Sequence, residues 1–205
     1  MTSALHWRYA TKRYDSSRKI SEQDLTTLLE SIRLSPSSYG LQPFKVILIE
    51  NPDIREQLKA HSWNQTQTTE ASHFLVFAAS KLLPDSEIDS HIERTAKTRQ
   101  RAVSELQGYG DFVKSKVHLL SSDEIANWNA KQAYIAMGFL LFQAALLEID
   151  ATPMEGLDPT AYDAILNLSD HQTVFAVALG YRSEEDSLQF AKKVRKAANE
   201  LIEKV

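Results

Sequence analysis

The residues best equipped for chemistry stand at the two ends of the chain. Residues 1–19 carry Arg8, Lys12, Arg13, Arg18 and Lys19 against Asp15 alone, and residues 192–205 carry Lys192, Lys193, Arg195, Lys196 and Lys204 against Glu200 and Glu203. The stretch between them holds 13 basic and 24 acidic side chains, so two basic ends flank a body of net charge −11. Such ends are either solvated termini or two halves of one anion site. A phosphate is the natural ligand for the second arrangement, because guanidinium groups grip its oxygens in pairs. Charge alone does not choose between them. It does argue against a nucleic-acid surface, since the chain is acidic overall, at −4 with a pI near 5.9.

Other chemistries are missing by residue type or by spacing. The absence of cysteine removes disulfides, thiolate nucleophiles, Fe–S clusters and cysteine zinc sites. His6, His61, His73, His91, His118 and His171 include no HxxxH pair on one helix, so no metal site is expected. There is no GxGxxG, no GxxxxGK[ST] and no GxSxG. Gly108-Tyr109-Gly110 reads as a helix break, and Glu184-Glu185-Asp186 as an exposed acidic loop. The first 15 residues lack the apolar segment of a signal peptide, which makes a cytoplasmic location the expectation.

The elements that must bring the two ends together follow from local pattern. Ser21-Glu22-Gln23-Asp24 is a capping-box sequence, and Leu25, Leu28, Leu29 and Ile32 follow at helical spacing, predicting a helix over 22–34. Residues 35–43 (SPSSYGLQP) form a polar loop. Residues 44–49 (FKVILI), 74–79 (FLVFAA) and 174–179 (VFAVAL) read as three buried strands. Pro52 opens a helix to about residue 61, residues 62–70 carry no clear pattern, and 86–118 is helical with a break near Gly108 and Gly110. Ser121-Ser122-Asp123-Glu124 starts a helix to about residue 148, whose segment 133–147 is apolar on nearly every face and so reads as buried all round, in part by a second subunit. That run is too short and too interrupted by Gln143 to span a membrane. Residues 152–158 read as a loop, 159–168 as a short helix and 192–204 as a last helix. With 205 residues and 43% hydrophobic positions, one compact α+β domain with helices on both faces of a small sheet is the expected architecture.

Several short blocks, in order along the whole chain, resemble the FMN-dependent nitroreductase family. Arg8-Tyr9-Ala10-Thr11-Lys12-Arg13-Tyr14 is similar to its R-x-S-x-x-x-[FY] entry motif, and Pro36-Ser37-Ser38-Tyr39-Gly40-Leu41-Gln42-Pro43-Phe44 to its PSS-x-x-x-QP-[WF] loop. Asn64, Pro153-Met154-Glu155-Gly156, Gly180-Tyr181 and Lys193-Val194-Arg195 continue the likeness. The resemblance implies a single nitroreductase-like domain over 1–205, of three layers, with a small, mostly antiparallel sheet flanked by helices, working as a homodimer.

It also implies a site. Arg8, Lys193 and Arg195 would hold the FMN phosphate, with Tyr9 and Ala10 beside Arg8 and Lys12 near the ribityl chain and pyrimidine edge. Asn64 would hydrogen-bond the pyrimidine ring. The backbone of Glu155 and Gly156, after Pro153 and Met154, would meet flavin N5 and O4, the glycine allowing close approach. Pro36, Ser37, Ser38 and Gly40 belong to the loop that would cover the partner subunit's flavin. Two positions depart from the family: Ala10 replaces a serine, and Gln67 a lysine common near the pyrimidine, each removing a polar contact to FMN. The implied activity is ping-pong reduction of quinones, nitroaromatics or related acceptors by NADH or NADPH, with no side chain acting as an obligate acid or base and no part for nucleic acid or membrane. The alternatives are a specialised relative (a reductive dehalogenase, a pteridine reductase or a flavin-consuming enzyme) and a flavin-binding protein without turnover.

Overall fold

The computed structural model describes residues 2–205. Its centre is a four-stranded sheet in the order β1 (Phe44–Leu48), β2 (His73–Ser80), β4 (His171–Gly180), β3 (Asp150–Met154), every pair antiparallel. The two inner strands are the two most apolar runs of the chain, and alternation sends their side chains to opposite cores. Leu75, Phe77, Phe175 and Val177 meet one helical layer, formed by α2 (Glu22–Arg33) and α7 (Ser122–Leu146), through Leu28, Ile32, Ala133, Ala136 and Leu140. Phe74, Val76, Ala176 and Ala178 face the other layer, where Leu58 of α3 (Pro52–Ala60) and Tyr162 of α8 (Pro159–Ile165) pack. The three layers are those expected.

Local capping signals placed the starts of α2 and α7. Ser21 accepts from the amide of Asp24, and Ser121 forms a full capping box with Glu124 at the head of α7. The helices α4 (Gln67–Glu70), α5 (Asp85–Arg99), α6 (Gln107–Val117) and α9 (Ala198–Leu201), with α1 (Thr2–Trp7), complete the chain.

Three expectations are corrected. The loop expected over 152–158 begins inside a fourth strand, β3. Its DATPM sequence is a poor strand by composition, but it lies at the sheet edge, where Pro153 need not donate to a second neighbour. The break in the 86–118 helix falls at Gln100, held in the left-handed region at φ 53°, and not at Gly108 or Gly110. Both glycines lie within α6, and Gly110 lets α6 approach Ile92 of α5. The C-terminal helix over 192–204 shrinks to the single turn of α9, with Val194, Leu201 and Ile202 open to solvent, so no apolar surface stabilises a longer one. Within one chain α7 is not covered all round, which leaves a face for the second subunit expected there. Ile135, Phe139 and Leu146 form an exposed apolar stripe along it. Among the described residues, no helix is long and apolar enough to cross a membrane.

Candidate functional site

The segment 8–14 is the spine of the site, and tertiary contacts hold it on both sides. Thr11 donates from its hydroxyl to Asp150 Oδ1 at 3.1 Å, and its carbonyl accepts from Thr152 Oγ1 at 2.6 Å, so the segment runs along β3. On the other flank Glu70 of α4 receives the Tyr14 amide and the Arg13 guanidinium. Asp150 is nearly closed to solvent, and Arg182 neutralises it with bonds from its amide and its Nε at 2.8 and 3.0 Å. The same guanidinium lies 4.3 Å from the Trp7 ring centroid and 4.7 Å from that of Tyr9, tying the start of the segment to the end of β4.

Asp186 supplies the last clamp. Its carboxylate accepts the backbone amides of Lys12 at 2.6 Å, Arg13 at 3.2 Å and Leu188 at 3.0 Å. Burial pushes the Asp186 pKa up, but these amides outweigh it and leave the group below the ordinary aspartate value. The expectation of an exposed acidic loop therefore holds for Glu184 and Glu185 and fails for Asp186, which is buried.

These clamps bring the two basic ends together in one groove of about 350 Å³. It is lined by Arg8, Lys12, Lys192, Lys193 and Arg195, with Tyr9 and Ala10, and no carboxylate is among its walls. The Lys193 ammonium donates to the carbonyl oxygens of Leu5 and Arg8. Burial lowers the Arg8 and Lys193 pKa values, and the like charges around them lower both further: Arg195 acts on Arg8, and Arg8 and Arg195 act on Lys193. Arg8 Nε is buried with no hydrogen-bond partner, and the Tyr9 hydroxyl is in the same condition, its pKa raised to about 12 by burial first and by Asp186 second. Donors and positive charge in excess of acceptors are what an anion would relieve. The residues present thus fit the phosphate of FMN.

The other predicted residues fall into two further groups. Asn64, Gln67, Pro153, Met154, Glu155 and Gly156 lie where the 61–67 turn meets the end of β3. Asp158 N donates to His61 O at 2.9 Å, and Gln65 Nε2 to Gly156 O at 3.2 Å. Met154 is a core residue, and Gln67 is only 4% exposed within this chain. The flat ring that comes close to Gly156 belongs to the chain itself. A Cβ at Gly156 would stand 2.6 Å from the Trp63 indole, which is otherwise 80% exposed. Trp63 and Asn64 both sit in the left-handed region, at φ 53° and 54°, a costly conformation for an indole side chain.

Pro36, Ser37, Ser38 and Gly40 line neither this turn nor the groove. The Ser38 amide donates to Gln132 Oε1 of α7 at 2.8 Å, Tyr39 packs edge-on to Phe112, and Gly40, at φ 75°, lies against His91. Sequence reading missed Trp7, Trp63, Gln132, Tyr134, Asp150 and Arg182. Each acts through a partner distant in sequence, so no local spacing marked them.

A Ser–His–Asp constellation stands at the other end of the sheet. Ser80 Oγ is 3.3 Å from His171 Nε2, and Asp170 Oδ1 is 2.9 Å from Nδ1, which draws the Asp170 pKa down to about 2. The amides of Ser80 and Lys81 are already spent on Pro43 O and Asp170 O, each at 3.0 Å. They are therefore not available as oxyanion donors for acyl transfer.

Comparison with known proteins identifies the family and the fold. Residues 5–181 match the model of the Nitroreductase family. A protein of Staphylococcus aureus strain USA300 named "Putative NAD(P)H nitroreductase" is 38% identical over 210 residues, covering 98% of this chain and 93% of that protein. A Staphylococcus haemolyticus protein of the same description is 39% identical, with 98% and 95% covered. Among solved structures, a Bacillus subtilis "putative nitroreductase" superimposes with a TM-score of 0.89 at 21% identity, over 100% of this chain and 98% of that one. A "putative nitroreductase in complex with FMN" from Exiguobacterium sibiricum does so at 0.84 and 18%, over 100% and 96%.

Proposed function

The chain belongs to the nitroreductase family, and from that premise we propose that it is an FMN-dependent oxidoreductase, working as a homodimer. It takes hydride from NADH or NADPH and passes it to quinones, nitroaromatics or related small acceptors in a ping-pong cycle. FMN, when bound, supplies the redox chemistry. The protein supplies binding, orientation and electrostatics.

Arg8 and Arg195 hold the phosphate, while Lys193 latches the C-terminal arm to the 5–8 backbone and adds its charge. Lys12, its backbone fixed by Asp186, lies on the ribityl side. Asn64 and Gln67 serve the pyrimidine edge, and the amides of Glu155 and Gly156 the reacting edge of the ring. The loop Pro36–Gly40, braced by Gln132, covers the partner's site and keeps water from it. The exposed stripe Ile135, Phe139 and Leu146 supports the dimer, since apolar side chains aligned on one helix face gain from a partner surface.

The observation that carries this reading is the carboxylate-free groove in which Arg8 and Arg195 converge from opposite ends of the chain. The test begins with the visible spectrum of the purified protein and a titration with FMN and riboflavin. Flavin bands at one FMN per subunit and a clear preference for FMN are expected, and equal affinity for riboflavin would overturn the phosphate assignment. Steady-state NADH and NADPH oxidation with and without menadione then separates an enzyme from a flavin-binding protein without turnover.

A further inference from the structure

Glu155 follows β3 directly, and its side chain is exposed but not free. Tyr134 Oη donates to Glu155 Oε1 at 2.5 Å, a length found for hydroxyl donors on carboxylates. Tyr134 comes from the middle of α7. Its ring tilts against Phe175 at 4.8 Å between centroids, and Phe175 stacks on Phe77 at 4.7 Å. The hydroxyl is therefore aimed from a rigid core. The turn it reaches is closed by its own bond from Leu157 N to Glu155 O at 2.8 Å and held from outside by Gln65 Nε2, which donates to Gly156 O at 3.2 Å. Burial first, then the Glu155 bond, raises the Tyr134 pKa to about 12, so the phenol remains a donor across the neutral range.

We propose that Tyr134 is a positioning residue of the redox site, holding the Glu155 carboxylate beside the flavin so that the negative field there depends on a single phenol. The inference rests on the proposed function, which sets the 155–156 backbone against the ring. A ring that gains electrons is harder to reduce next to a fixed negative charge. Removing the charge in Glu155→Gln raises the potential. Tyr134→Phe keeps the ring and its packing on Phe175 but frees the carboxylate to turn into water, where screening weakens its field. It therefore raises the potential too, by less. Because Tyr134 acts through Glu155, the two changes are not additive.

The experiment is a dye-equilibrated redox titration of the FMN-loaded wild type, Tyr134→Phe, Glu155→Gln and the double variant in one buffer. Glu155→Gln is expected to change the two-electron equilibrium about tenfold toward the reduced form, about 30 mV upward. Tyr134→Phe shifts the same way, and the double variant matches Glu155→Gln. A Tyr134→Phe potential equal to wild type, or a double shift equal to the sum of the singles, overturns the inference. Should Tyr134→Phe not fold, Tyr134→Leu, which removes the same hydroxyl and keeps an apolar contact with Phe175, takes its place with the same expected and overturning outcomes, and an unshifted potential in Glu155→Gln overturns the inference by itself. Wild type that takes up no FMN would overturn the proposed function and this inference with it, whereas loaded variants at the wild-type potential overturn only the latter.

Discussion

The ammonium of Lys193 is hydrogen-bonded to the backbone carbonyl of Arg8, 185 residues earlier in the chain. The lysine is thus a latch between the two ends, while Arg8 Nε stays buried without a partner beside the Arg195 guanidinium, which spends one of its donors on the Val194 carbonyl.

That division of labour predicts unequal effects of substitution. Arg195→Ala should weaken FMN binding by about 1.5–3 kcal/mol, the range for hydrogen bonds to charged groups, and leave riboflavin binding nearly unchanged. Paired fluorescence titrations with the two flavins check this, and an equal loss for both would remove Arg195 from the phosphate.

Asp186 should make stability depend on pH. Its folded pKa is depressed, so its contribution is complete above the unfolded value near 3.8 and is lost as pH falls through the folded value. Asp186→Asn should cost about 1–3 kcal/mol at pH 7, the penalty for weakening bonds to three backbone amides. The difference from wild type should vanish in strong acid. Urea melts at pH 7 and below pH 3 measure both, and a penalty unchanged in acid would contradict the ionised capping role.

Two glycines should answer differently to the same methyl group. At Gly180 a Cβ would meet the buried Tyr14 ring at 2.9 Å and the Ser72 backbone amide at 3.0 Å, neither able to move freely, so Gly180→Ala should cost about 1–3 kcal/mol through overpacking. At Gly156 the obstacle is the exposed Trp63 indole, which can swing into solvent. Gly156→Ala should therefore leave the melting temperature nearly intact and change tryptophan emission and FMN uptake. Similar destabilisation at the two sites would show that Trp63 is fixed.

The stripe on α7 predicts the assembly. Phe139 is 47% exposed within one chain. Phe139→Glu should convert a dimer into a monomer in light scattering at micromolar concentration and weaken FMN binding with it, since the Pro36–Gly40 loop then loses its partner. Obligate interfaces commonly bury more than about 2,000 Å², and one charge at the centre of such a patch is costly. A wild-type monomer that carries FMN would refute the dimeric site.

The sequence by itself determined what short-range physics controls. The short β-branched and aromatic runs FLVFAA and VFAVAL read as strands buried on both faces, and Ser121 and Glu124 marked the head of α7 because capping is a matter of residues three apart. Residues 8–14, 36–44, 153–156 and 193–195 carried the family likeness, and with it the three-layer architecture. Tertiary structure decided the rest. β3 owes its strand to pairing with β4, which composition does not record. α9 is short because nothing covers it, and α7 shows an apolar face because one chain has no second surface to offer. Two positive ends could equally have been frayed termini. Asp150, Arg182 and Asp186 are what clamp the ends into one groove, and none lies near Arg8 in sequence. Periodicity and capping reach only a few residues, whereas a buried carboxylate takes its partners from whatever packing brings to it.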